Sequence, residues 1–426
     1  MQFCMNVYDM KRKSKRCLNL LVLILFCSWA QAQDTLDVAP DKTYEFLPAA
    51  ENTIHNSISL SPFYEKLYQL KKGSSFQVNI VHIGDSHIQA DFLTGRVRQN
   101  FQRDFGNGGR GLIVPGHVAR TNEPFSIRTS SPSLWEAKRC VFPDQPLPIG
   151  IGGITLKTTQ QQVRLSIKTL NSPPLDYGFT KLTVFYQKDF NSFNLVVKDS
   201  TDRDLAFLGS FTFEPYADVS TVILPFKTNL ITLQALPANA SQNQLILFGF
   251  NLENGKPGVV YHAIGVNGAK YKHYTVAAFF AQQTSALHPD LFILSLGTNE
   301  ALEYPFNDPQ FVNDMDKLVD SLRSKNPNVR FLLTTPADSF RKKTRRNPGV
   351  EMIHQKIIDY AEKNNLAYWD LYAAGGGKHS ADLWKKSKLL RSDGIHFSVG
   401  GYELQGDMLY EALIKGYNEY VLYRHP

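Results

Sequence analysis

The sequence is short of the features that mark several classes of protein. Four cysteines occur in 426 residues, and Cys4, Cys17 and Cys27 all fall in the first 27 positions. Only Cys140 lies beyond them, so the remainder of the chain can make no internal disulfide. No group of Cys and His residues has the spacing of a metal site, and neither a metal nor a cofactor is expected. No apolar run reaches the roughly 20 residues that a spanning helix needs. Internal repeats and low-complexity tracts are absent, and the composition, 43% hydrophobic and 12% aromatic, excludes disorder, collagen and coiled coil. A chain of this length holds enough apolar residues for two cores.

Excess charge is scarce once the N-terminus is set aside. Lys11, Arg12, Lys13, Lys15 and Arg16 form a basic stretch, Leu18 to Trp29 is apolar, and Ala30-Gln31-Ala32 is a small-x-small cleavage pattern. Residues 1–32 therefore read as a signal peptide, and the mature chain as exported, periplasmic or extracellular, with no stable membrane insertion after cleavage. Without that leader the chain carries 41 basic and 38 acidic residues, so the overall +7 is mostly a property of the leader. This removes the case for a nucleic acid partner. The run Arg341, Lys342, Lys343, Arg345, Arg346 reads as a solvated loop rather than a site.

Two textures alternate along the rest. Phe76 to Ile83 is an apolar, β-branched run ending at Gly84, which reads as a buried parallel strand. Ser86 to Phe105 has helical spacing. The strand–helix rhythm resumes after 258, with strands expected over Val259–Ile264, Leu291–Leu296, Val329–Thr335 and Leu366–Leu371. Helices are expected over Tyr274–Leu287, Phe311–Leu322, Val350–Asn364 and Gly400–Tyr417. Such alternation implies βαβ units and a mostly parallel sheet. Between 111 and 257 the pattern changes to short alternating runs about ten residues apart, from Gln162–Ile167 to Gln244–Phe250, as in an antiparallel sandwich. The expected organisation is residues 33–110 and 258–426 as one α/β domain, interrupted at 111–257 by an all-β domain.

Four short blocks carry chemistry. Gly84-Asp85-Ser86-His87 stands where a strand ends and a helix begins, a place where a serine hydroxyl meets the mouth of an open sheet. Asp393 and His396, three apart on a turn before the last helix, can face each other as orienting acid and general base. Asn299, in Gly297-Thr298-Asn299-Glu300, follows the most apolar strand and can donate into an oxyanion hole. Gly265-Val266-Asn267-Gly268 follows another strand, where a glycine lets a backbone N–H approach a substrate. Seen singly, each block has an ordinary reading as a helix cap or polar turn. Together they fall on one edge of the expected sheet in the order Ser, Gly, Asn, Asp-x-x-His.

In that order and spacing the sequence resembles the SGNH (GDSL-like) hydrolases over about 76–110 and 258–420. The resemblance implies a flavodoxin-like three-layer α/β/α hydrolase domain and a serine esterase. Ser86 would be the nucleophile and an oxyanion donor through its own N–H. Gly268 (with Gly265 as the other candidate) and Asn299 would be the further donors, and His396 and Asp393 would complete the triad. Asp85 and His87 are possible pocket residues. His87 replaces the usual leucine and Glu300 the usual aspartate, neither at a catalytic position. Asp85-Ser86-His87, the glycine-rich 106–111 and the β-insertion resemble the periplasmic O-acetylpeptidoglycan esterases, which implies an acylated polysaccharide as substrate and a carbohydrate-binding character for the insertion. Trp135, Tyr177 and Tyr186 are then possible sugar-stacking residues, with core packing as the alternative. His82 and His262 read as satisfied buried histidines. An O-acyltransferase with the same triad and a non-catalytic glycan-binding protein remain open, and the oligomeric state is not legible.

Overall fold

A computed structural model of the chain describes residues 35–38, 44–142, 148–211, 218–303, 305 and 308–424. The expected signal peptide lies outside the described residues. The framework is a six-stranded sheet of β1 (Ile54–His55), β2 (Gln77–Gly84), β3 (Gly258–Gly265), β4 (Leu291–Ser295), β5 (Arg330–Thr334) and β6 (Ala367–Trp369). Their spatial order is β3-β2-β4-β5-β6-β1, all parallel except the antiparallel edge pair β1–β6. The helices that concern the site are α1 (Ser61–Lys71), α2 (Ser86–Gln89), α3 (Phe92–Phe105), α4 (Tyr271–Thr275), α5 (Thr298–Leu302), α6 (Asp308–Lys325), α7 (Pro348–Lys363) and α8 (Val399–Arg424).

The apolar runs in the strands are continuous because both sheet faces are covered. Val78, Ile80, Tyr261, Ile293 and Trp369 share one core with α1, α3 and α8. Val81, Ile83, Leu294 and Leu333 point to the other face, into a core shared with α6 and α7. Successive strand residues alternate between these cores, as the two-residue period requires. No helix among the described residues is long and apolar enough to cross a membrane.

Between β2 and β3 the chain builds two antiparallel sheets. One orders Asp204–Leu208, Asn194–Lys198, Leu230–Leu236, Val163–Thr169 and Ile127–Ser130. The other orders Val219–Thr228, Phe179–Tyr186, Leu245–Glu253, Ile154–Thr158 and Glu136–Arg139, with Gly109–Ile113 also paired to Leu245–Glu253. Leu165, Ile167, Leu195 and Val197 of the first sheet share a core with Leu182, Val184, Leu247 and Phe250 of the second. The same apolar cluster runs on into Val81 and Ile83 of β2, so the antiparallel sheets and one face of the parallel sheet are packed together. Cys140 is buried and forms no disulfide among the described residues.

Two expected helices are broken, each by a tertiary contact. The helix expected over Ser86–Phe105 is α2 and α3, separated at Asp91, whose φ is +61°. The buried Asp91 carboxylate receives both guanidinium nitrogens of Arg98 at 2.8 and 2.7 Å, Arg110 at 2.7 Å and the Thr94 hydroxyl at 2.5 Å. Satisfying a buried carboxylate so completely outweighs one left-handed residue. The helix expected over Tyr274–Leu287 is α4 and a second short helix, Phe280–Ser285, because the Phe279 N–H donates to Ile149 O at 3.0 Å instead of continuing the helical ladder.

Candidate active site

The sheet order turns back on itself between β2 and β4, and α/β sheets offer ligands a crevice at such a switch point, beyond the carboxyl ends of the strands. Ser86 follows β2, Asn299 follows β4 and the 265–269 turn follows β3. The turn carrying Asp393 and His396 precedes α8 and brings both residues to the same edge.

Ser86 Oγ and His396 Nε2 are 2.8 Å apart, and His396 Nδ1 lies 3.1 Å from Asp393 Oδ2. The other Asp393 oxygen accepts the Ile395 and His396 N–H groups at 2.8 and 2.9 Å. Partial burial works against the Asp393 charge, but these two amides and the imidazole outweigh it and hold its pKa below the usual carboxylate value. Asp393 is thus an ionised acceptor that fixes the imidazole with Nε2 turned toward Ser86.

Asp85 caps α2 by accepting the His87 N–H at 2.9 Å. Its second oxygen lies 3.2 Å from Asn299 Nδ2, which also donates to Ala269 O at 2.9 Å. The Asn299 amide is therefore clamped between two acceptors beside Ser86. Burial pushes the Asp85 carboxyl up to about 7. Glu300 is also buried; burial first, and then the nearby Asp85 charge, push it up to about 7. One Glu300 oxygen accepts the Tyr271 N–H at 3.0 Å, and the other has no partner among the described residues.

The two glycines on the β3 turn differ sharply. A Cβ on Gly265 would lie 2.3 Å from the Gln89 N atom, so this glycine exists to let β3 pack against α2. Gly268 has φ +81°, and a Cβ there meets nothing within 4 Å. Gly268 borders open space, where its backbone is free to meet a ligand.

His87 lies beside the Asp393–His396 turn, its ring 5.3 Å from that of His396 and its Nδ1 3.0 Å from the Tyr402 hydroxyl. Burial, then the neighbouring His396, lower its pKa to about 3, so His87 stands as a neutral wall. It lines a small cavity of about 40 Å³ together with Ile88, Ser295, Thr298 and Ile395. His82 bonds Tyr261 at 2.7 Å and Ser295 at 2.6 Å, and His262 accepts the Leu112 N–H at 3.1 Å. Both are internal, satisfied histidines.

Two further residues belong to this neighbourhood. Gln89 accepts the Asn267 N–H at 2.6 Å and donates to Thr121 Oγ1 at 2.5 Å, tying α2 to the β3 turn and to the loop that leads into the strand Ile127–Ser130. Its position three residues after Ser86, one turn along the same helix, was the available signal. Tyr402, on α8, holds His87. Tyr177 and Tyr186 do not offer sugar platforms: they are 1% and 0% exposed, and the Tyr186 hydroxyl donates to Gly209 O at 2.8 Å. Trp135 is only partly buried, donates to Ser131 Oγ at 2.8 Å, and lines an open groove of about 680 Å³ with His117, Arg120 and Asn122.

Comparison with known proteins places the chain beside esterases in fold. The model of the GDSL-like Lipase/Acylhydrolase family matches residues 240–404, a span that holds Asn299, Asp393 and His396. Ser86 lies outside it, on the other side of the antiparallel strands in the sequence. Over residues 240–404 the chain is similar to the GDSL-like Lipase/Acylhydrolase family. Among solved structures, the chain is similar to a peptidoglycan O-acetylesterase, at 22% identity and a TM-score of 0.71, over 86% of this chain and 99% of that one. A catalytic mutant of an acetylxylan esterase from Geobacillus stearothermophilus is 18% identical over 37% of this chain and 73% of its own, with a TM-score of 0.30. A lipase/acylhydrolase from Enterococcus faecalis is 20% identical over 38% of this chain and 77% of its own, also at 0.30. A search of curated proteins gave no match.

Proposed function

We propose that the protein is an exported serine esterase that removes acyl groups, acetyl foremost, from a polysaccharide such as peptidoglycan. The observation that carries this reading is the unbroken relay from Asp393 through His396 to Ser86 Oγ, with contacts of 3.1 and 2.8 Å. Ser86 Oγ attacks the ester carbonyl carbon as its proton passes to His396 Nε2. The imidazolium that forms is held by Asp393, whose lowered pKa keeps it ionised. The oxyanion is met by the Ser86 N–H, the Gly268 N–H and one N–H of the Asn299 amide, which gives up its longer contact to Asp85 Oδ2 and keeps that to Ala269 O. The acyl–sugar C–O bond then breaks, and the departing sugar oxygen takes the proton from His396. Water, deprotonated by His396, cleaves the acyl-serine and releases the acid.

The whole-length likeness to a peptidoglycan O-acetylesterase supports the substrate class. Residues 111–257 are proposed as a β-sandwich domain inserted into the hydrolase, whose open groove at Trp135 suits contact with a glycan. The leader pattern at 1–32 supports export, the compartment in which such polymers occur. The test is acetate release from O-acetylated peptidoglycan and from acetylated xylan by wild type beside Ser86→Ala. Release from peptidoglycan by wild type alone is the expected result. Cleavage of a small aryl acetate with neither polymer touched would discard the polysaccharide.

A further inference from the structure

The cationic run at 341–346 is not a loose loop. Phe340–Arg341 and Arg345–Arg346 form a two-stranded hairpin, with Phe340 opposite Arg346 and Arg341 opposite Arg345. The hairpin is fastened to the turn that holds Asp393 and His396. The Phe340 N–H donates to Gly394 O at 2.7 Å. Gly394 has φ +76°, and a Cβ there would lie 2.8 Å from Phe340 Cβ and 3.1 Å from Lys343 O, so turn and hairpin are in direct backbone contact. Phe340 is buried beneath the Arg346 and Lys385 cations, 5.2 and 5.4 Å from its ring centre.

The charge around this anchor is one-sided. Arg346 pairs with Asp382, but Arg341, Lys342, Lys343 and Arg345 make no ion pair among the described residues. Lys342, Lys343 and Arg345 are exposed, as is Arg391 on the catalytic turn itself. The nearby carboxylates are engaged, Asp382 with Arg346, Asp393 with His396, and the largely buried Asp338 with the Ala381 N–H at 3.1 Å. Lys342 and Lys343 both adopt left-handed backbone, with φ +50° and +72°, a conformation in which lysine is sterically disfavoured and glycine or asparagine is usual. Beyond the leader the chain carries 41 basic and 38 acidic residues, so without the five cations of this hairpin the balance would be slightly acidic. Five of those cations therefore stand together on one hairpin beside the His396 turn.

We propose that this hairpin is a docking site for an anionic glycan strand, one whose carboxylate groups engage the four unpaired cations while its acylated sugar reaches Ser86. The proposal rests on the esterase reading above for the role of Ser86. A field of this kind raises the local concentration of a charged polymer and is screened by salt within about 10 Å at 0.1 M. A neutral polymer gains nothing from it.

The test uses the full chain and a variant carrying Arg341→Gln, Lys342→Gln, Lys343→Gln and Arg345→Gln. Acetate release from acetylated polygalacturonate and from acetylated xylan is followed at about 20 and about 300 mM salt. For wild type, kcat/KM on the acidic polymer should exceed that of the variant roughly tenfold at low salt, and high salt should erase most of the gap. On acetylated xylan, wild type and variant should show no such gap. In parallel, the Kd for polygalacturonate is measured by affinity electrophoresis with Ser86→Ala, with and without the four substitutions; a roughly tenfold weaker Kd in the substituted protein is expected. Equal Kd values, or salt dependence that survives the substitutions, would overturn the docking site. Absence of acetate release from both polymers, from O-acetylated peptidoglycan and from a small aryl acetate, with a Kd that still depends on the hairpin, would instead remove the esterase reading and keep the site.

Discussion

Replacing Asn299 by alanine separates the chemistry of the oxyanion from the architecture around it. In the structure one amide nitrogen serves two acceptors, Ala269 O at 2.9 Å and Asp85 Oδ2 at 3.2 Å. Asp85 is 1% exposed, so the lost donor is not replaced by bulk water. An unsatisfied buried acceptor costs about 1–3 kcal/mol, so Asn299→Ala should lower unfolding free energy by about that much. Turnover should suffer more. Loss of a single oxyanion donor costs about 100- to 1,000-fold in kcat, or about 2.7–4 kcal/mol. Because the donor acts on charge that develops only in the transition state, KM should barely move. Steady-state kinetics on an aryl acetate and urea unfolding of the same preparations read both effects. A kcat within about threefold of wild type, with the expected stability loss, would remove Asn299 from the oxyanion hole and leave it a purely structural clamp.

Glu300→Gln should stabilise the protein at pH 8 and leave it nearly unchanged at pH 4. The unfolded carboxyl ionises near its ordinary value, while the folded one holds its proton to about 7, so wild-type stability falls between those values as pH rises and the variant lacks that fall. Melting curves across this range check it, and a variant advantage that shrinks with pH would contradict it. Gly265→Ala forces a Cβ to within 2.3 Å of Gln89 N and should displace α2, lowering both stability and turnover. Gly268→Ala meets nothing within 4 Å and should cost only the left-handed strain of about 1–2 kcal/mol with turnover largely kept; parallel kinetics and melting separate the two. Asp91→Ala leaves Arg98 and Arg110, each 1% exposed, without their shared carboxylate, and should cost about 3–5 kcal/mol in chemical denaturation.

Much of the α/β framework is legible in the sequence because its strands are buried on both faces. Phe76–Ile83 and Leu291–Leu296 announce β2 and β4 within a residue or two, since unbroken apolar runs have few other uses. The Ser, Gly, Asn and Asp-x-x-His blocks are legible as a set, because each follows a strand end or precedes the last helix. Covalent neighbours mislead where a distant partner decides. The break at Asp91 depends on Arg98 and Arg110, and that at Phe279 on the carbonyl of Ile149. The short strands Ile127–Ser130 and Glu136–Arg139 carry little apolar alternation and form because Val163–Thr169 and Ile154–Thr158 supply their ladders. Gln89 escaped notice because its role, bridging Asn267 and Thr121, joins three segments far apart in sequence. The cations at 341–346 are visible as a run, but their place against Gly394 comes only from the fold.

The central claim is that the acyl group passes through Ser86 Oγ. Rapid mixing of the wild type with an aryl acetate, acid quench and peptide mass analysis test it directly. An acetyl adduct is expected on the peptide containing Ser86, formed in a burst and absent from Ser86→Ala. Turnover by wild type with no adduct on that serine, or an adduct that persists in Ser86→Ala, would contradict it.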